Sequence, residues 1–395
     1  MRQRSFLFFV ALFFPIVIQA ASVGQDDVSA LTSKCDKGDM LACEQLGNMY
    51  MHGKSVPKDA TKAAEFYQRA CDGANLSACN SLAVQYTDGN GVPKDLTKAA
   101  SLIKQACDGK QMLACTNLGL LYAKGEGVDR DPEKAFSLFK QACDAGDRYG
   151  CSILVDLRKK ACDSGDLPSC GALAEEYLRG QGVDKDPVKG AELMQKSCDG
   201  KLMLACLRLA VMYTQGEGVL KDKTKAMSLY QMSCDGGVAG GCGQLGIIYE
   251  NADGVPKDST KALSLFKKAS DGGDAVGRFG LGQMYEHGEE ITKDESKAAL
   301  LYSQSCDARF KMGCRALALL YENGKGVTED QPKAAELYQR ACDLGEMYSC
   351  NSLAARYQLG YGVSKDQEKA AILFKKSCDG GNTQACSNLD KFHLR

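Results

Sequence analysis

Every one of the twenty cysteines in this 395-residue chain belongs to a pair with seven residues between its members. The pairs are 35/43, 71/79, 107/115, 143/151, 162/170, 198/206, 234/242, 306/314, 342/350 and 378/386, and they advance by 36. Two places break the count. From Cys143 to Cys162 the step is 19, so 17 residues are missing, and the pair due at 270 and 278 is replaced by Ser270 and Arg278. A fixed period of this size marks an array in which each unit packs only on its neighbours. It overrides the roughly two or three globular domains that length alone would suggest.

Each period carries two amphipathic segments. The first, helix A, follows the second cysteine, as in Cys115-Thr116-Asn117-Leu118-Gly119-Leu120-Leu121-Tyr122, where Leu118 and Tyr122 lie four apart on one helical face. Leucine and tyrosine hold these two frames in all nine full-length repeats, from Leu46 and Tyr50 to Leu353 and Tyr357, with Gly or Ala between them. A loop of the type Gly-x-Gly-Val-x-Lys-Asp then ends helix A and starts helix B. Its glycines can take the left-handed conformation that stops a helix, and its aspartate suits an N-cap. Asp fills that cap frame at 59, 95, 131, 186, 222, 258, 294, 330 and 366. Helix B runs through Lys-Ala-x-x-Leu-x-x-x-Ala-Cys to a Cys-Asp turn, and strand signals are absent. The leucine partner makes packing the reading for the tyrosine column.

Composition narrows the function classes. With 44% hydrophobic and 25% charged residues the chain is globular, and a formal charge of -1 argues against binding nucleic acid through a bulk positive field. Three histidines (His52, His287, His393) leave little for a metal site, so no metal and no cofactor is expected. Residues 1–20 read as a signal peptide: Arg2 and Arg4, an apolar run from Phe6 to Ile18, then small residues around Ala20 and Ala21. No cysteine sits there to carry a lipid, and no later stretch approaches a membrane span. The expected location is secreted or periplasmic.

The pattern Leu-Gly/Ala-x-x-Tyr, Gly-x-Gly-Val, Lys-Asp, Lys-Ala resembles the Sel-one-like repeat, a relative of the tetratricopeptide repeat. The added cysteine pairs are similar to those of the Helicobacter cysteine-rich protein family of secreted proteins. The resemblance runs from about residue 34 to 386. It implies an all-α fold, a right-handed α/α superhelix of helix-loop-helix repeats stapled by disulfides. Departures are the lost cysteines, the short unit, and a degenerate loop at Gly288-Glu289-Glu290-Ile291.

Zinc sites usually take cysteines two to four apart with a second pair, whereas an exported chain favours disulfides. The vacancy at 270 and 278 tests the pairing. Bonds across the longer interval would orphan Cys242 and Cys306, but with local pairing both partners vanish together. The expected bridges are therefore Cys35-Cys43, Cys71-Cys79, Cys107-Cys115, Cys143-Cys151, Cys162-Cys170, Cys198-Cys206, Cys234-Cys242, Cys306-Cys314, Cys342-Cys350 and Cys378-Cys386. Ser270 and Arg278 then mark the weakest joint. At the short step, Ser152 to Ala161 leave room for one continuous helix only. The expected division is a signal peptide over 1–20, a first array segment of three full repeats over 21–146, a single-helix unit over 147–163, and a second segment of six repeats plus a terminal helix over 164–395.

Some members of the cysteine-rich family carry a penicillin-binding or β-lactamase label. Ser-x-x-Lys occurs at Ser101/Lys104, Ser137/Lys140 and Ser264/Lys267, but sister repeats place Glu65/Gln68, Glu192/Gln195 and Glu336/Gln339 in that frame. Neither Ser-Asp-Asn nor Lys-Thr-Gly completes a serine β-lactamase site. No catalytic residue is assigned. In tetratricopeptide-like arrays helix A lines the concave side, so the resemblance implies a ligand-binding groove through Asn48, Asn80, Asn117, Arg208, Arg315, Asn351 and Arg356. Asparagine and arginine can hold peptide backbone or a carboxylate through paired hydrogen bonds, and an ordinary hydrated groove is the alternative. The expected function is an exported, monomeric scaffold that binds a protein or peptide in host interaction or envelope processes. Cell-wall fragments are further candidate ligands. The alternative from the enzyme class is a penicillin-binding protein or weak β-lactamase that binds and hydrolyses β-lactams.

Overall fold

The computed structural model describes residues 19–391, all of whose regular structure is helical, with no strand among them. The segment read as a signal peptide lies outside the described residues except for Gln19 and Ala20, which begin the helix Gln19–Asp36. Nine helix-loop-helix hairpins follow, from Met40–His52 with Ala60–Asp72 to Met347–Leu359 with Gln367–Asp379. Three helices stand outside this pattern: Gln19–Asp36, Arg148–Asp163 at the short step, and Thr383–Lys391.

The loops repeat because their hydrogen bonds do. In all nine hairpins the cap aspartate accepts the backbone N–H of the lysine three residues on, at 2.8–3.0 Å. Its own N–H donates to the carbonyl of the helix A tyrosine, at 2.8–3.1 Å. The same lysine lays its ammonium over the tyrosine ring in eight hairpins, 4.1–5.4 Å from the centroid. The eighth hairpin differs, because Lys333 pairs with Glu336 at 2.8 Å. These tyrosines are half-buried, so packing and the lysine contact are combined in one residue.

Helix A meets helix B through a small residue facing a large one. Gly47, Gly119, Gly246 and Gly282 face Tyr67, Phe139, Phe266 and Tyr302, and a Cβ on any of them would lie 2.5–2.6 Å from the ring. Adding a methyl there would overpack the contact, at a cost of about 1–3 kcal/mol. Four of the buried rings in this column carry hydroxyls that find partners on helix A: Tyr302 donates to Glu286 at 2.7 Å, Tyr338 to Glu322, Tyr67 to Asn48 at 2.8 Å, and Tyr230 pairs with the Thr214 hydroxyl at 3.3 Å. Burial, helped by the nearby Glu44 carboxylate, pushes the Tyr67 hydroxyl up to about 12.

The second loop glycine reaches one repeat back. A Cβ on Gly91 (φ +79°) would stand 2.2 Å from the Ala60 carbonyl oxygen, and one on Gly127 (φ +71°) 2.0 Å from that of Leu96. In the first hairpin the frame holds Ser55, also in the left-handed region at φ +62°. The seventh hairpin holds Glu290 there at φ +56°, its carboxylate accepting the Thr260 hydroxyl at 3.0 Å, so the close approach belongs to the hairpins that keep the glycine.

All ten local disulfides are formed, with Cα atoms 4.4–4.8 Å apart, and no cysteine is free among the described residues. Each ties the end of one helix to the start of the next, in six of the ten a helix B to the following helix A. The chain divides into two compact units. One runs to Lys160 and takes in Arg179–Lys185; the other comprises Ala161–Leu178 and the chain from Asp186 onward.

Candidate ligand-binding face on the A helices

Leu46, Gly47 and their counterparts turn one side of helix A towards helix B, and this leaves the first, second and fifth residues after the cysteine on the other side. In the first unit these are Glu44, Gln45 and Asn48, and in later repeats Asn80, Asn117, Arg208, Arg315 and Asn351 fall in the same frames. Arg356 stands one residue further on, in a buried frame. These frames vary between repeats and range from exposed at Asn48 and Leu319 to buried at Asn80 and Thr116, while the leucine and tyrosine frames stay unchanged.

The seven residues expected to line a groove lie on A helices, but the structure gives most of them partners within the protein. Asn48 accepts the Tyr67 hydroxyl. Asn117 donates to Asn80 at 2.9 Å, and Asn388 donates to Asn351 at 3.0 Å, so a pair of asparagines bridges adjacent A helices in each unit. Arg208 holds Glu175 and Glu217, both at 2.9 Å. Burial works against its charge, yet the two carboxylates keep its pKa above the ordinary guanidinium value. Arg356 is 4% exposed, pairs with Glu322 and Gln331 at 2.8 Å each, and stacks over Tyr338. Five of these tie neighbouring repeats together and Asn48 ties the two helices of its own hairpin.

Arg315 is different. Its nearest carboxylate is Glu346 at 3.8 Å, longer than a hydrogen bond, and its guanidinium lies 5.1 Å from the Tyr348 ring centroid. Its donors therefore remain available. Beside it opens a cleft of about 260 Å³ between the A helices Ala275–His287 and Lys311–Asn323. Phe279, Tyr302, Met312, Ala316 and Leu319 supply its apolar lining, with Glu286 and Arg315 as the charged groups. Phe279 packs against Tyr302 and edge-on to Phe310, with centroids 5.7 and 5.5 Å apart, which fixes the lining. Sequence reasoning named Arg315 but missed the cleft. A signal existed: Phe279 occupies a frame that elsewhere holds Glu44, Asn80, Thr116 and Asn351.

The hydrolase residues do not converge. Ser101, Ser137 and Ser264 are exposed on three separate B helices. Lys104 is paired with Asp108 and Lys140 with Asp144, each one turn further along its own helix. His52 and His287 are exposed at the ends of their A helices, His287 donating its Nδ1–H to the Gln283 carbonyl at 2.9 Å, and His393 lies outside the described residues. Among the described residues no three His, Cys, Asp or Glu side chains form a set that could hold a metal, and no helix is long and apolar enough to cross a membrane.

Comparison with known proteins agrees with this architecture. Nine segments match the family model described as Sel1 repeat: 41–75, 76–110, 113–147, 168–202, 204–238, 240–274, 275–310, 311–346 and 348–382. Among solved structures, a protective antigen present in uropathogenic Escherichia coli strains, displaying an SLR fold, is 28% identical with a TM-score of 0.53, covering 91% of this chain and 80% of that one. A Sel1 repeat protein from Oxalobacter formigenes is 23% identical with a TM-score of 0.55, covering 62% of this chain and 99% of that one. Helicobacter pylori cysteine rich protein B is 30% identical with a TM-score of 0.28, covering 34% of this chain and 96% of that one. No curated protein sequence matches the chain.

Proposed function

This chain belongs to the Sel1 repeat family, and from that premise we propose that it is an exported scaffold whose A-helix face binds a protein or peptide outside the cytoplasm. The observation that carries the reading is the contrast between frames. The residues that build the hairpin recur in register, whereas the A-helix frame five residues after the cysteine, exposed or half-buried in every hairpin, passes through Asn48, Val84, Leu120, Glu175, Gln283 and Leu319. A frame set that only had to be hydrated would not need this range of charge and bulk on a backbone so uniform. Rigid elements with variable surface residues are how a repeat array presents a binding surface.

Ten disulfides and no free cysteine among the described residues favour an oxidising compartment, since thiols in the cytosol are kept reduced. The likeness to a protein described as a protective antigen fits that placing. No observation favours the hydrolase alternative over the scaffold, because the Ser-x-x-Lys elements are separate and solvent-facing. Envelope processes or host contact are the settings such a scaffold would serve.

Expression of the full chain and of a chain lacking residues 1–20, followed by fractionation and non-reducing peptide mapping, tests the export. The full chain should be found outside the cytoplasm with all cysteines paired. Cross-linking from photoreactive residues at Asn48 and Asn351 tests the face. Recovery of specific adducts from these sites, and none from exposed B-helix sites such as Ser101 and Ser264, is the expected result. The reverse distribution would move the binding surface to the B helices.

A further inference from the structure

We infer that Met232 is an oxidation site of the array: a two-electron oxidant of the hydroperoxide class converts its thioether to the sulfoxide, and the helix Lys223–Asp235 is thereby released from the Cys198–Cys206 joint behind it. The inference is independent of the A-helix reading, since Met232 stands on a helix B.

In the other eight full hairpins the residue two places before the cysteine frame of helix B is arginine, lysine or glutamine. In five of them its side chain donates to the carbonyl of the first cysteine in the preceding pair, Lys196 to Cys162 and Lys268 to Cys234 at 3.0 Å among them. This frame therefore ties a helix B to the joint behind it. Met232 has no N–H to give, and its sulfur meets the joint instead, 3.9 Å from Cys198 Sγ and 3.7 Å from Cys206 Sγ. A soft, polarizable atom packs on two others. The two cysteines are buried, but Met232 itself is 45% exposed, whereas every other methionine among the described residues is buried or half-buried. One thioether thus touches water on one side and a disulfide on the other.

Access decides which methionine a small oxidant reaches, because the oxidant must meet the sulfur lone pair. That lone pair attacks one oxygen of the peroxide, the S–O bond forms as the O–O bond breaks, and the departing hydroxide takes the remaining hydroxyl proton and leaves as water. Sulfur is oxidised and the peroxide reduced. The product replaces an apolar side chain by a polar one whose oxygen only accepts hydrogen bonds. Sister residues bring a donor to the cysteine carbonyl, whereas the sulfoxide would bring an acceptor to a carbonyl and two sulfurs that carry no proton. Leaving it there unpaired is costly, so the oxidised side chain turns to water. The contact between this helix and the joint behind it goes with it.

The test treats the disulfide-intact full chain with hydrogen peroxide and follows peptide masses over time. Met232 should gain one oxygen about fivefold faster, or more, than any other methionine. In guanidinium, where every methionine is exposed, that preference should vanish. Hydrogen exchange then reads the joint. In the chain oxidised at Met232 the amides of Ala205 and Cys206, which donate to the Leu202 carbonyl, should exchange about threefold faster or more, while Gly241 at the next joint is unchanged. Met232→Leu keeps the bulk and removes the sulfur, so the same peroxide treatment should leave its exchange unaltered. Another methionine reacting first, several reacting alike, or a preference that survives unfolding would each overturn the site. Oxidation at Met232 without faster exchange at Ala205 and Cys206 would overturn the release of the joint, and so would the same acceleration in peroxide-treated Met232→Leu.

Discussion

The joint at 306–314 and the joint at 270–278 are made of the same parts, a helix B, a tight turn and the next helix A, yet only the first is closed by a disulfide. Their turns are the same. At the stapled joint the Arg309 N–H reaches the Cys306 carbonyl at 2.9 Å and the Phe310 N–H that of Ser305 at 3.1 Å. At the vacant one the Gly273 N–H reaches Ser270 and the Asp274 N–H reaches Ala269, both at 2.9 Å. The disulfide is therefore not what shapes the turn, and its effect falls mainly on the unfolded chain. The capping differs in the opposite sense. Phe310 has no side chain to offer the first turn of its helix, and neither do Gln111, Leu202 and Val238, all of them at stapled joints. Asp274, at the unstapled one, accepts the Gly277 N–H at 2.7 Å. Such a cap is not confined to the vacant joint, since Asp39, Asn75, Asp147, Asp166, Glu346 and Asn382 cap helices at stapled ones.

The magnitudes decide which joint is weaker. A disulfide closing a loop this short is worth about 2.5 kcal/mol by the chain-entropy estimate, against about 1 kcal/mol for an N-cap. The vacant joint should thus open first despite its cap. The strongest way to break the comparison is to reduce the protein and alkylate its thiols. All ten ties then go together, about 2.5 kcal/mol each, which exceeds the roughly 5–15 kcal/mol that holds most folded proteins together. Helical circular dichroism should collapse at room temperature, and full retention would show that the ties are ornamental. Next in size, Ser270→Cys with Arg278→Cys should form an eleventh bridge, raise stability by up to about 2.5 kcal/mol in urea, and remove the excess hydrogen exchange at Gly277. Failure of that exchange to slow would place the weakness elsewhere. Asp274→Ala should cost about 1 kcal/mol and increase local opening at 270–278 further, a loss that the same change at the stapled, capped Asp39 should show less of.

The smallest effect is that of pH. Backbone donation from Lys297 and Lys369 holds the cap carboxylates of Asp294 and Asp366 below the usual range. A depressed folded-state pKa gives stability that is fully present above the unfolded value, about 3.9, and is lost as pH falls through the lower folded value. Asp294→Asn with Asp366→Asn keeps a capping acceptor without the charge, so the acid limb of the stability profile should flatten while stability near neutrality changes little. An unaltered acid limb would remove these two carboxylates from the account.

The fold was legible because a periodic chain states its own register. Cysteine spacing located the joints, and the loop Gly and Asp located the hairpins, since one residue type at each of those places satisfies a fixed set of backbone groups. The surface was less legible, for a physical reason. Asn80 and Asn117, like Asn351 and Asn388, are separated by one residue more than the period. They meet across neighbouring A helices, and within a single repeat each reads as a free polar side chain. Lys62 over Tyr50 is hidden the same way, because the two sit on opposite sides of a loop whose path sets the contact. The cleft escaped because it depends on two successive repeats departing from the pattern at once, with Phe279 in one and Arg315 in the next.

The glycine that meets the preceding repeat also bears on how such an array can lengthen. Gly91 cannot carry a side chain because the Ala60 carbonyl stands where its Cβ would be, whereas the first hairpin takes Ser55 with no hairpin behind it and the seventh takes Glu290, whose carboxylate accepts the Thr260 hydroxyl of the hairpin behind. An interior hairpin copied in tandem therefore arrives with the residue its new neighbour requires. The first hairpin, copied behind a loop packed like that of Gly91, would bring a serine side chain against the backbone behind it, and the loop would have to shift towards the arrangement seen at Glu290. Duplication is thus least disruptive for the hairpins that carry the glycine, and the looser loops of Gly254 and Glu290 mark where the array can also take in a hairpin without it.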